Sequence, residues 1–104
     1  MDAEDEKLVT LARATRARTG AAEGAAVRDD MGRTYTAATV ALTSLSLSAL
    51  QAAIAAAVSS GVQRLEAAAV VTEAPQPAED DLRTLAELGV AAAIVVDPTG
   101  AIRG

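Results

Sequence analysis

Apolar residues recur at three- and four-residue steps in three stretches of the chain and alternate or run together in four others, which predicts the element order α-β-β-α-β-α-β. The central stretch is Leu45–Gly61, LSLSALQAAIAAAVSSG. Leu47, Leu50, Ile54, Ala57 and Val58 form its apolar stripe and the remaining faces are mostly alanine, so the pattern predicts a helix buried on most sides. Thr43, Ser44 and Ser46 are its candidate N-caps, and Gly61 ends it. Upstream, residues 1–6, MDAEDE, form an acidic flexible N-terminus to a single domain over 7–104. A first helix is expected from about Glu4 to Arg18, with Leu8, Leu11, Ala12 and Thr15 facing inward. Gly20–Gly24 interrupts it, and Gly24–Arg28 and Arg33–Val40 then read as the arms of a hairpin turned at Asp29-Asp30-Met31-Gly32.

Downstream, Leu65–Thr72 contains a run apolar on both faces, as a central strand requires. After the exit loop Glu73–Pro77, a third helix is expected from Pro77. Its first turn holds Glu79, Asp80 and Asp81, Leu82, Leu85 and Leu88 form its seam, and Gly89 stops it. Val90–Val96 is the last buried strand, closed by the turn Asp97–Gly100, with Ala101–Arg103 as a short tail. The β-α-β unit implies two parallel strands joined by a crossover, and the whole order implies an α/β fold with helices layered on the sheet.

Composition sharpens this picture. The 104 residues allow one domain, and its core must be aliphatic: Tyr35 is the only aromatic residue, and alanine supplies 27 positions. Alanine contributes little at roughly 25 cal/mol per Å² of apolar area, so the elements must approach closely or bury more surface against a second subunit. Cysteine and histidine are both absent, which removes disulfides, thiol nucleophiles, zinc thiolates and imidazole bases together. The formal net charge of −5 argues against general attraction to nucleic acid. Bases gather at Arg13, Arg16 and Arg18, an interaction surface suited to a phosphate or an acidic partner; a plain solvated helix face is the competing reading. No apolar leader precedes Leu8 and the apolar runs carry too much Ser, Thr and Gln to span a bilayer, so no membrane role and a cytoplasmic location are expected.

Particular residues carry a resemblance to the cytidine deaminase family. DEKLVTLARATRAR resembles that family's first helix, and GAAV followed by DDMGRTYT is similar to its first strand, Asp-Gly turn and second strand. LSALQAAIAAAVSSG resembles the family helix Cys-Ala-Glu-Arg-x-Ala-Ile-x-x-Ala-Val-x-x-Gly, sharing Ala49, Ala53, Ile54, Ala57, Val58, Ser59 and Gly61. AAAVVTEAPQPAEDDLRTLAELG is similar to the third strand, its loop and the helix Pro-Cys-Gly-x-Cys-Arg-Gln-x-Leu-x-Glu-Phe, with Pro77, Leu85, Ala86 and Glu87 in register. The resemblance implies a three-layer α/β/α cytidine deaminase-like sandwich around a mixed sheet of about four strands.

It also implies where the chemistry of such a protein sits. Family members bind zinc with a Cys or His on the second helix and two Cys on the third, and a Glu two residues after the first ligand moves protons. The corresponding positions here are Ser48, Ala78, Asp81 and Leu50, a degenerate set that leaves no metal, no cofactor and no catalytic residue. The ribose-binding Asn and Glu of the family correspond to Thr39 and Ala41. The expectation is therefore a catalytically inactive deaminase-like protein that acts through self-association and macromolecular interaction. The family's pairing of helices across subunits implies a dimer or tetramer. Similarity to short deaminase-like proteins encoded beside ribosome-assembly factors implies a ribosome-associated or GTPase partner. Two alternatives stand beside this reading: a nucleoside deaminase with an atypical site, and a nucleoside or nucleotide sensor that keeps the cleft without the chemistry. Among other candidates, Glu79–Asp81 as a cation site, the serines near the second helix as nucleophiles and Tyr35 as a base-stacking platform are each outweighed by capping or packing.

Overall fold

Strand β1 (Gly24–Asp29) is buried along its whole length and sets the layers, because its side chains alternate between two separate cores. Ala25 and Val27 face α2 (Ala49–Ser59) and α3 (Glu79–Glu87), where they pack with Leu50, Ile54 and Leu85. Ala26 faces α1 (Ala3–Thr19), where it packs with Leu8 and Ala12. Strand β5 (Leu65–Val71) divides in the same way, with Ala68 and Val70 on the first side and Ala69 and Val71 on the second. The computed structural model, which describes residues 1–103, is thus a three-layer α/β/α sandwich.

The sheet order is β2-β1-β5-β6-β7, with β2 (Thr34–Ala38), β6 (Ile94–Val96) and β7 (Ile102–Arg103) completing it. Strands β5 and β6 are parallel across the α3 crossover, as the β-α-β pattern requires, and the other pairs are antiparallel. The sheet has five strands rather than four because Ile102–Arg103, expected as a tail, pairs with Val95–Val96. Arg103 anchors that edge by donating to the carbonyl of Glu73 at 3.1 Å. The last buried strand is shorter than expected: only Ile94–Val96 pairs, and residues 90–93 lead into it.

The first helix starts within one residue of expectation, and the second does not. The first helix begins at Ala3, so most of the acidic start lies inside it. Asp2 caps it by accepting from the Asp5 N–H at 2.8 Å, and Glu4, Asp5 and Glu6 occupy the positive end of the helix dipole. Arg28, projecting from β1, draws the same turn down: it donates to Glu66 at 2.7 Å, to Asp5 at 3.1 Å and to the Glu4 carbonyl at 3.1 Å. Burial opposes its charge, and the bonds to Glu66 and Asp5 more than offset this, raising its pKa above the ordinary guanidinium value.

The second helix begins at Ala49, four residues after the expected Leu45. Ser46–Leu47 (β4) instead pairs with Val40–Ala41 (β3) in a separate antiparallel ribbon. The Leu-Ser alternation of residues 45–48 has the period of a strand, and that period prevails until Ser48. Ser48 is therefore the cap, and Thr43, Ser44 and Ser46 are not.

Helix α1 lies directly on Gly24. A methyl group there would stand 2.2 Å from the Ala12 carbonyl oxygen and 2.8 Å from the Arg16 backbone nitrogen. Gly24→Ala is therefore expected to lower unfolding free energy in urea titration by about 1–3 kcal/mol, since steric displacement exceeds the few tenths gained by stiffening the unfolded chain. An unchanged midpoint would show that α1 does not rest there.

Two turn carboxylates make stability depend on acid. Burial raises the Asp29 pKa, but backbone N–H groups of Arg33 and Met31, each at 2.9 Å, and the Tyr35 hydroxyl outweigh it and hold it below the usual value. Asp97 is lowered first by the Thr99 hydroxyl and then by the Ala101 N–H. Folded values below unfolded ones mean a contribution fully present above about pH 3.9 and lost as pH falls through the folded values. Asp29→Asn, which keeps an accepting oxygen, is expected to flatten the fall in melting temperature on acidification below about pH 4. An identical acid slope in both proteins would refute the assignment.

Candidate functional site

The amino ends of α2 and α3 meet beside the carboxyl end of β5. Ser48 begins α2 with a reciprocal capping box: its Oγ accepts from the Gln51 N–H at 3.0 Å, and Gln51 Oε1 accepts from the Ser48 N–H at 2.9 Å. The same Oγ donates to Asp81 Oδ2 at 2.7 Å, joining the two helices. Asp81 lies in the first turn of α3 and is only 4% exposed. Leu50, one position beyond the helix start, is wholly buried in the core between these helices and the sheet. Ala78 is the N-cap of α3, and its methyl side chain makes no capping bond.

A second set of polar groups adjoins the first. Glu23, just before β1, accepts from the Thr72 hydroxyl at 2.8 Å and from the Ala49 N–H at 3.4 Å, the latter a long contact at the start of α2. Its own N–H donates to Thr39 Oγ1 at 2.9 Å, and its carbonyl accepts from the Thr39 N–H. The structure thus joins Ser48 to Asp81 directly and connects Thr39 to the α2 terminus through Glu23. Ala41 stays apart, exposed on the ribbon opposite Ser46.

Sequence reasoning missed Glu23, Gln51 and Thr72. The Ser-x-x-Gln capping signature at 48–51 was a readable signal for Gln51; nothing local marks Glu23 or Thr72, which are 49 residues apart.

The three acids of α3 diverge as consecutive helical residues must: Asp81 turns to Ser48, while Asp80 pairs with Arg83 on the surface. Tyr35 packs on the core under α2, with its hydroxyl 3.4 Å from Asp29. Among the described residues, no group of three or more His, Cys, Asp or Glu side chains is arranged to hold a metal ion. Three surface clefts, of about 330, 290 and 300 Å³, are lined by other residues: one by the β1–β2 turn with residues 60–64, one by Arg13 and Arg16 of α1, one by the start of α1. No helix among the described residues is long and apolar enough to cross a membrane.

This mixed five-stranded sheet between one helix and a pair of helices is shared with solved cytidine deaminases. The cytidine deaminase-like family model matches residues 1–100, and the chain belongs to that family. Cytidine deaminase from Mycobacterium tuberculosis is similar in structure, with a TM-score of 0.74 and 29% identity over 98% of this chain and 90% of that one. The enzyme from Burkholderia pseudomallei has a TM-score of 0.79 at 24% identity, covering 99% of this chain and 91% of its own. The Mycobacterium leprae enzyme gives 0.72 at 24%, over 95% and 92%. No curated protein matches the sequence.

The bond between Ser48 and Asp81 is testable by a double-mutant cycle. Ser48→Ala removes a cap and strands a buried carboxylate, with an expected loss of about 2–4 kcal/mol. Combined with Asp81→Ala, the loss should fall short of the sum of the two single losses by about 1 kcal/mol or more. Strict additivity would mean that the two side chains do not act together.

Proposed function

We propose that the protein is a non-catalytic member of its family that works by association, with itself and with another macromolecule. The observation that carries this reading is the hydrogen bond from Ser48 to Asp81, beside a buried Leu50, at the positions corresponding to metal ligands and proton carrier. The residues present do not fit a catalytic zinc ion. Such a site requires three strong nitrogen, sulfur or oxygen donors around an open position, whereas these four residues offer one hydroxyl, one carboxylate and two hydrocarbon groups. The hydroxyl and the carboxylate are moreover engaged with each other. Leu50, with no titratable group, has nothing with which to carry a proton.

Self-association draws support from the outer surface of α2. That helix contains no charged residue, and Ala55, Ala56 and Val58 are exposed along it. Leu42 and Leu45, 63% and 49% exposed at the tip of the β3–β4 ribbon, extend the apolar surface.

The competing reading, a deaminase with an atypical site, rests on likeness to the mycobacterial enzymes. Protein purified from zinc-supplemented culture is expected to carry well under one zinc per chain and to release no ammonia from cytidine or deoxycytidine. Turnover that survives purification and disappears in Asp81→Ala would replace the proposal with the enzyme. Sedimentation velocity is expected to show a dimer or tetramer at micromolar concentration; a strict monomer removes the self-association half of the reading.

A further inference from the structure

The other face of the sheet carries a cleft of about 290 Å³ lined by Arg13, Ala14, Arg16, Ala17, Val71 and Pro98. It lies beyond the carboxyl ends of the parallel strands β5 and β6, between the last turns of α1 and the turn after Val96. Neither of its arginines is paired with a carboxylate; Arg16 is held by a backbone carbonyl, and the exposed Arg13 lies on Gly100. Arg16 Nε donates to the Ala22 carbonyl at 3.1 Å, which fixes the guanidinium and leaves its terminal amino groups available. The Arg13 guanidinium rests on Gly100, so closely that a methyl group there would lie 3.0 Å from Nη1 and 3.2 Å from Cζ. Among the described residues, neither arginine forms an ion pair, nor do Arg18, Arg33 and Arg64, whereas Arg28, Arg83 and Arg103 all do. Charge complementing the helix dipole accounts for Arg16 and Arg18 in the last turn; Arg13 lies outside that turn.

Two unneutralised guanidinium groups one helical turn apart, one of them fixed by a backbone carbonyl, match the requirement for a tetrahedral oxyanion, which accepts several charge-assisted bonds from such forks. We propose that this cleft binds a phosphate group, free or as a monoester of a small molecule. Its volume is just below the usual range for ligand pockets, and its lining offers an organic part no polar side chain besides the two arginines. The site is independent of the fate of the metal positions, which lie across the sheet. Arg18, the third member of the basic cluster, does not line the cleft and serves as an internal control.

The test is an NMR titration of ¹⁵N-labelled protein with inorganic phosphate, with a nucleoside 5′-monophosphate and with the same nucleoside lacking phosphate, all at constant ionic strength. Saturable shifts are expected around Arg13–Ala17, Val71 and Gly100 with both phosphates, at similar affinity, and none there with the bare nucleoside. Arg13→Gln and Arg16→Gln should each weaken binding by about tenfold or more, and Arg18→Gln by less than about twofold. Melting curves check that each variant remains folded. Shifts that do not saturate, that map elsewhere, or that Arg18→Gln weakens as much as Arg13→Gln would overturn the proposal. Tighter binding of the bare nucleoside at these residues would also overturn it.

Discussion

The structure depends on how closely its helices rest on the sheet. With no Phe or Trp to span a gap, the layers are held apart by single methyl groups, and at Gly24 by a hydrogen atom. Ala12, Ala26 and Ala69 line one interface; Ala25, Ala49, Ala53, Ala57 and Ala68 line the other. Each buried alanine adds little hydrophobic free energy, so cohesion comes from many close contacts and from the few large side chains among them: Leu8, Leu50, Leu85 and the valines of β1, β5 and β6. A core of this kind has little slack. At Gly24 an added methyl meets the backbone of Ala12 and Arg16, which no rotamer change can move aside.

Close packing also fixes the site. Because Ala49, Ala53 and Ala57 bring α2 flat against β1 and β2, the Ser48 hydroxyl comes within hydrogen-bond reach of Asp81 on α3. The magnitudes decide what this link does. A hydrogen bond to a charged group contributes about 1.5–3 kcal/mol, comparable with burying one leucine. It therefore pins the relative position of two helix ends, while Leu50 beside it contributes to the core that holds them.

The layers and most elements were legible in the sequence because they follow from local periodicity: the alternation of β1, the continuous apolar run of β5, the Leu82–Leu88 seam and the glycine stops at Gly20, Gly61 and Gly89. The start of α2 was misplaced where two periods overlap, since Leu45–Ser48 satisfies both a helix stripe and a strand alternation. Only its pairing with Val40–Ala41 decides between them. Four of the site positions, Ser48, Leu50, Ala78 and Asp81, came from the family resemblance and are gathered around the α2 and α3 termini. Glu23 and Thr72 were illegible because their meaning is tertiary: a glutamate before a strand reads as a loop acid until the fold brings Thr72 and the α2 terminus to it. The anchoring of α1 by Arg28 was hidden for the same reason, its partners being 23 and 38 residues away.

The two faces of the sheet are held by different physics. On the α2–α3 side, cohesion is apolar, and its main polar links lie at helix ends. On the α1 side, Gly24 sets the distance, Ala26 supplies the hydrocarbon contact and Arg28 adds three charge-assisted bonds, all from successive inward positions of one strand. Salt therefore acts chiefly on the docking of α1 through Arg28, whereas on the α2–α3 side packing decides. The residues around the α2 and α3 termini belong to the second regime, where a hydrocarbon group is compatible with its surroundings and an unpaired ionisable group is not. Leu50 and Ala78 agree with the chemistry of that layer, whereas Asp81 is compatible with it through the hydroxyl that Ser48 provides.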